Sequence, residues 1–112
     1  MMPTKDKHDF SRQAIILKAL AQEVRLQMLD HLSRKDLTVG ELTELVQLDP
    51  STVSRHLSRL KHAGIVDSRR AGKSVVYHLT MPCALNFFSC ANKVLEELEH
   101  SAVRPLSPKF TR

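Results

Sequence analysis

The stretch Ser51-Thr52-Val53-Ser54-Arg55-His56-Leu57-Ser58-Arg59-Leu60-Lys61-His62-Ala63-Gly64-Ile65-Val66 decides the fold of this chain. Val53, Leu57 and Leu60 recur at helical spacing and form one narrow apolar stripe. Asp49-Pro50 lies just before it. Asp49 suits an N-cap, and Pro50 suits the first turn, where its missing N–H would be unpaired anyway. Gly64 marks the expected stop. Opposite the stripe lie Ser51, Arg55, Ser58 and His62, with Thr52, Ser54 and Arg59 on the flanks and His56 on the same helix. No acid occurs from Pro50 to Val66. Such a face suits a DNA major groove: hydroxyls and Arg can contact phosphates, and Arg can also read guanine edges.

Working back from this helix, Thr38-Val39-Gly40-Glu41 matches a capping box and opens a third helix whose apolar face is Val39, Leu42, Leu45 and Val46. Only three to four residues separate the third and fourth helices, which makes them a helix-turn-helix candidate. A second helix is expected over about 23–33, with Leu26, Leu29 and Leu32 inward. A first is expected over roughly 10–21, with Phe10, Ala14, Leu17 and Ala21 recurring at helical spacing.

Working forward, the period changes. Ile65 to Arg70 and Ser74 to Leu79 read as two short strands joined at Ala71-Gly72-Lys73. Arg69, Arg70 and Lys73 surround the tip of this hairpin. There they can reach phosphates or the adjacent minor groove, and also protect exposed strand edges. From Thr80-Met81-Pro82 a last helix is expected to run to about His100. Ala84, Phe88, Ala91, Leu95 and Leu98 make one apolar stripe on it, and Cys83, Phe87, Cys90 and Val94 a second beside it. So wide an apolar face calls for a partner helix. The segments expected outside the folded domain, 10–100, are a flexible arm over 1–9 and a flexible tail over 101–112.

Charge follows the same layout. The 112 residues carry 17 Lys+Arg and 12 Asp+Glu, a net charge of +5. Residues 1–50 hold 7 basic and 8 acidic side chains, residues 51–80 hold 6 and 1, and residues 81–112 hold 4 and 3. The cationic excess is therefore confined to one helix and one hairpin, which suggests a polyanionic partner. The length suits one domain and is too short for an ordinary barrel or doubly wound enzyme. With 4% aromatics and no Trp, the core must be aliphatic and a base-stacking platform is excluded. No Gly-rich phosphate loop, Ser/His/Asp grouping or paired-carboxylate motif supports an enzyme. No transmembrane run or secretory signal is seen, and the narrow apolar face of the basic helix argues against a membrane-surface role. A cytoplasmic protein with reduced thiols is expected.

These residues carry a family resemblance. Ala19-Leu20-Ala21-Gln22-Glu23-Val24-Arg25-Leu26 resembles the opening of the ArsR/SmtB-type winged-helix repressors, and Leu37-Thr38-Val39-Gly40-Glu41-Leu42 resembles their third helix. Ser51 to Val66 looks like their recognition helix, and Arg69 to Leu79 like their wing. The resemblance covers roughly residues 12–98. It implies a mostly α winged helix-turn-helix fold with a small β-hairpin, helices at both ends forming a homodimer interface. Two recognition helices would lie in successive major grooves of double-stranded operator DNA. It also implies a repressor that leaves its operator when a metal ion, a metalloid or a redox signal arrives, with no cofactor needed for DNA binding.

The family places its inducer sites in several locations. Where similar metalloid sensors carry a Cys-x-Cys pair, this chain has Leu37, Thr38 and Val39. At the positions matching the zinc sensors' ligands stand Met81, Cys83, Val94 and Glu97, of which only Glu97 keeps the residue type. The second helix lacks the Cys that persulfide sensors use. Cys83 and Cys90 remain as the inducer candidates. Seven residues of helix would separate them by roughly 10 Å, beyond a disulfide and, unless the helix starts after Cys83, beyond a single shared ion; across an antiparallel dimer seam Cys83 of one chain could approach Cys90 of the other. Thiolates there suit trivalent arsenic or antimony or another thiophilic ion, or redox or reactive-sulfur chemistry. Plain core packing of both Cys, in a regulator with no small-molecule sensor, is the alternative. The six His residues are scattered, and His100 could add a nitrogen ligand near the end of the last helix.

Overall fold

A computed structural model describes residues 10–100. The arm expected over 1–9 and the tail over 101–112 lie outside the described residues. The chain divides into two compact units between Met81 and Pro82.

The first unit opens with α1 (Phe10–Leu20) and α2 (Glu23–Leu32). On α1 only Ala19 and Leu20 are buried, whereas Phe10 is 72% exposed and Leu17 54%. The periodicity is present, but among the described residues most of its apolar stripe is uncovered. On α2 the expected Leu29 and Leu32 are buried, Met28 is buried with them, and Leu26 is only half-buried.

A strand not foreseen from the pattern follows: β1 (Leu37–Thr38) runs directly into α3 (Val39–Val46). The capping box forms as expected. Glu41 N–H donates to Thr38 Oγ1 at 3.1 Å, and Thr38 N–H donates to Glu41 Oε1 at 2.9 Å. Leu42 is fully buried, but Leu45 is half exposed. Gln47 ends α3 in the left-handed region at φ 59, donating its N–H to Thr43 O.

Three residues later α4 (Pro50–His62) begins. Its stop is a Schellman motif: Gly64 at φ 84 donates to Lys61 O, and Ile65 N–H donates to Leu60 O, both at 2.9 Å. The motif's apolar pair, Leu60 and Ile65, is completely buried. Val53, Leu57 and Leu60 are all sealed from solvent, each worth about 1.5–3 kcal/mol of burial.

The hairpin is β2 (Val66–Ala71) and β3 (Ser74–Leu79). It starts one residue later than expected because the helix stop takes Ile65. Ala71 pairs with Ser74, so the turn is two residues, Gly72-Lys73. Only Gly72 has positive φ, the pattern of a type II′ hairpin. The sheet order is β1-β3-β2, all antiparallel, with Leu37 opposite Tyr77 and Thr38 opposite Val76. The core is aliphatic, as the composition requires.

The second unit holds α5 (Ala84–His100), which begins after the expected Thr80-Met81-Pro82 start. Cys83 therefore precedes the helix rather than riding on it. Its carbonyl accepts from the Asn86 N–H at 3.1 Å. Leu85, Phe87, Val94 and Leu95 are exposed. Among the described residues no helix is long and apolar enough to cross a membrane.

Candidate nucleic-acid interface

The site is built on α4. Burying Val53, Leu57 and Leu60 forces the rest of the helix outward. Ser51, Ser54, Arg55, Ser58, Arg59 and His62 are exposed, and Thr52 and His56 are half-buried. The structure thus brings all eight expected helix residues onto one element with a single solvent-facing side.

At the N-terminus, Asp49 caps the helix. Its carboxylate accepts from Thr52 N–H at 3.1 Å, from Thr52 Oγ1 at 2.7 Å, and from Ser51 Oγ. The Ser51 bond, then the Thr52 bonds, hold the Asp49 carboxyl well below the usual carboxylate range.

The middle of α4 has a partner that sequence spacing did not reveal. Arg25 on α2 donates from Nε to His56 Nδ1 at 3.1 Å, and from Nη1 to the Ala19 carbonyl at the end of α1, also at 3.1 Å. Accepting at Nδ1 fixes the neutral tautomer of His56, leaving its proton on Nε2. Burial first, then the cations of Arg25, Arg55 and Arg59, lowers the His56 pKa. Burial and the nearby Arg59 lower that of Arg25. Arg25, Thr52, Arg55, His56 and Arg59 line a shallow groove of about 270 Å³. A larger one of about 510 Å³ between α1 and α4 adds Lys18, Ser58 and His62. Among the described residues no carboxylate lines either groove.

The wing adds three cations of unequal freedom. Arg69 Nη1 pairs with Asp36 Oδ2 at 3.0 Å. Arg70 and Lys73 are exposed and, among the described residues, take part in no ion pair. At the wing's root Lys61 Nζ donates to Ser68 Oγ at 2.8 Å.

The thiols lie in the second unit, and both are free and exposed. The described residues hold no group of three or more His, Cys, Asp or Glu placed to bind a metal ion.

A short helix, a tight turn, a second helix with an acid-free cationic face and a basic hairpin define a winged helix-turn-helix DNA-binding protein. Residues 22–68 match the model of the bacterial regulatory proteins of the arsR family. The chain belongs to this family of transcriptional regulators. It is 39% identical over 70 residues to the transcriptional activator HlyU of Vibrio cholerae, covering 62% of this chain and 65% of HlyU. One solved structure of HlyU is of its reduced form. An uncharacterised helix-turn-helix regulator of Mycobacterium tuberculosis, Rv0081, is 34% identical over 87 residues, 77% of this chain and 76% of Rv0081. Its crystal structure superposes with a TM-score of 0.71, covering 80% and 91% of the two chains at 33% identity. The solution structure of the homodimeric DNA-binding domain of Mycobacterium bovis Mb0332 gives 0.74, covering 93% and 99% at 28% identity. These relatives are DNA-binding regulators rather than enzymes.

Proposed function

We propose that this chain is a homodimeric repressor that holds double-stranded operator DNA through α4 and the wing, and leaves it when a thiol-directed inducer takes Cys83 and Cys90. The carrying observation is the α4 face. Among the described residues Arg55 and Arg59 there, and Arg70 and Lys73 on the wing, have no carboxylate partner, so each can neutralise a phosphate without first breaking an ion pair. Repression needs only that the bound dimer block the promoter. Activation, the role in HlyU's name, would need a further contact with polymerase.

The inducer reading is supported by the exposure of both thiols, which removes them from the core of a single chain. A thiophilic ion, arsenite or antimonite among them, would be held by thiolates of both subunits and would supply a cross-link that shifts the dimer away from operator spacing. A second reading, oxidation or reactive-sulfur modification of the same thiols, is favoured by the lack of a third donor in the described residues. It gains weight from HlyU, a relative solved in a reduced form.

Titrating the operator complex with arsenite, cadmium, peroxide and polysulfide, for the wild type and for Cys83→Ser and Cys90→Ser, tests both. Release by arsenite or cadmium that disappears in the variants supports the metal reading, and release by oxidant or polysulfide supports the second. Release that persists unchanged in both variants would sink the thiol site. A reporter assay reads the sign of regulation.

A further inference from the structure

The two hydroxyls at the start of α4 have already committed their protons. Asp49 Oδ2 accepts from Ser51 Oγ, and Asp49 Oδ1 accepts from Thr52 Oγ1 at 2.7 Å. An ionised carboxylate has no proton to give, so the proton in each bond is the hydroxyl's own. A hydroxyl carries one proton and two lone pairs. With the proton held by Asp49, Ser51 and Thr52 can offer an incoming partner lone pairs only.

This decides what they can recognise. A phosphate presents acceptor oxygens alone, so neither hydroxyl can serve one while the Asp49 network stands. The Asp49 charge beside them repels a phosphate as well. In the major groove the only base-edge donors are the N6 amino group of adenine and the N4 amino group of cytosine. Ser54 and Ser58, exposed further along the same helix, have no carboxylate partner among the described residues and keep their donor capacity. The helix therefore carries two kinds of hydroxyl, set by one residue outside it.

We propose that Ser51 and Thr52 read DNA bases as acceptors, selecting an adenine or cytosine amino group, and that Asp49 is the positioning residue that fixes their polarity. This rests on the reading above that α4 lies in the major groove, where the first residues of a recognition helix meet base edges.

The test is selection from a random-sequence duplex pool, followed by affinity and salt-slope measurements on the winners. It uses the full chain and Ser51→Ala, Thr52→Val, Asp49→Ser and Arg55→Ala. Wild type should select adenine or cytosine at one or two positions of each half-site. Ser51→Ala or Thr52→Val should weaken that preference about three- to tenfold, the worth of one hydrogen bond, with an unchanged salt slope. Asp49→Ser keeps a capping side chain but frees both hydroxyl protons, so guanine and thymine should become admissible at those positions. Melting curves confirm that each variant folds. The proposal is overturned if the hydroxyl variants weaken all sequences alike with a shallower salt slope, or if no selected position changes. If Arg55→Ala also leaves selection and affinity untouched, the placement of α4 has failed too. If Arg55→Ala alone alters them, only the polarity assignment falls.

Discussion

Arg25 fastens three helices with one side chain. It sits on α2, holds the end of α1 through the Ala19 carbonyl, and holds α4 through His56. The bond to His56 exists only while Nδ1 is unprotonated. Protonation would remove the acceptor and place a positive charge against Arg25, Arg55 and Arg59. Because the folded protein lowers the His56 pKa, the unfolded chain takes up the proton first as pH falls. Stability of the free protein should therefore hold above the ordinary histidine value of 6.5 and fall as pH drops through and below it. Thermal melts between pH 8 and pH 5 should show a smaller acid loss in His56→Gln than in wild type, and equal losses would remove His56 as the cause. None of this was legible in the sequence. Arg25 and His56 stand 31 positions apart, and neither falls in a pattern with the other. The Asp49 cap, by contrast, was legible because it is local and its chemistry is the same in any helix.

The helix-turn-helix and its wing are the elements whose roles separate cleanly. On the proposed DNA-bound reading, Arg55 on α4 would meet base edges or phosphates, while Lys73 at the hairpin tip would meet phosphates alone. Arg55→Ala should weaken specific operator binding by about 1–3 kcal/mol if it grips a guanine. Lys73→Ala should weaken binding to all sequences and reduce the log–log salt slope by about one unit. Equilibrium binding across a salt series measures both, and unchanged slopes in both variants would count against the placement. Arg69 should respond less than Lys73, since Asp36 already neutralises it. At this scale α4 and the hairpin were readable because caps, stripe and turn residues agree. β1 was not. Its two residues, Leu37 and Thr38, are a strand only because Tyr77 and Val76 lie beside them, and Thr38 announces the cap of α3 more strongly.

At the scale of the whole molecule, the described chain leaves apolar side chains uncovered on two helices. Phe10, Ile15 and Leu17 lie open on α1, and Leu85, Phe87, Val94 and Leu95 on α5. A monomer in water would keep this surface wet, whereas the second copy of the proposed homodimer would bury it. The sequence showed the width of the α5 face and the stripe on α1, but periodicity gives a face and not what covers it. Phe87→Glu should shift the protein toward monomer in sedimentation experiments and lower operator affinity with it, since one half-site binds more weakly than two. A variant that stays dimeric at micromolar concentration would exclude this part of α5 from the interface.

The turn between α3 and α4 leaves room for improvement. Gln47 occupies the left-handed region at φ 59, a conformation that costs a residue with a side chain about 1–2 kcal/mol and glycine almost nothing. Its side chain is exposed and lies off the α4 face. Natural chains settle just above the stability they need, and a strained exposed residue is where such slack collects. Gln47→Gly, after the extra flexibility of the unfolded chain is subtracted, should raise stability by up to about 1 kcal/mol. The melting temperature should rise by a few degrees while operator affinity stays the same. Such a variant would be a sturdier starting point for redesigning α4, because it could absorb the destabilising substitutions that a new DNA specificity demands.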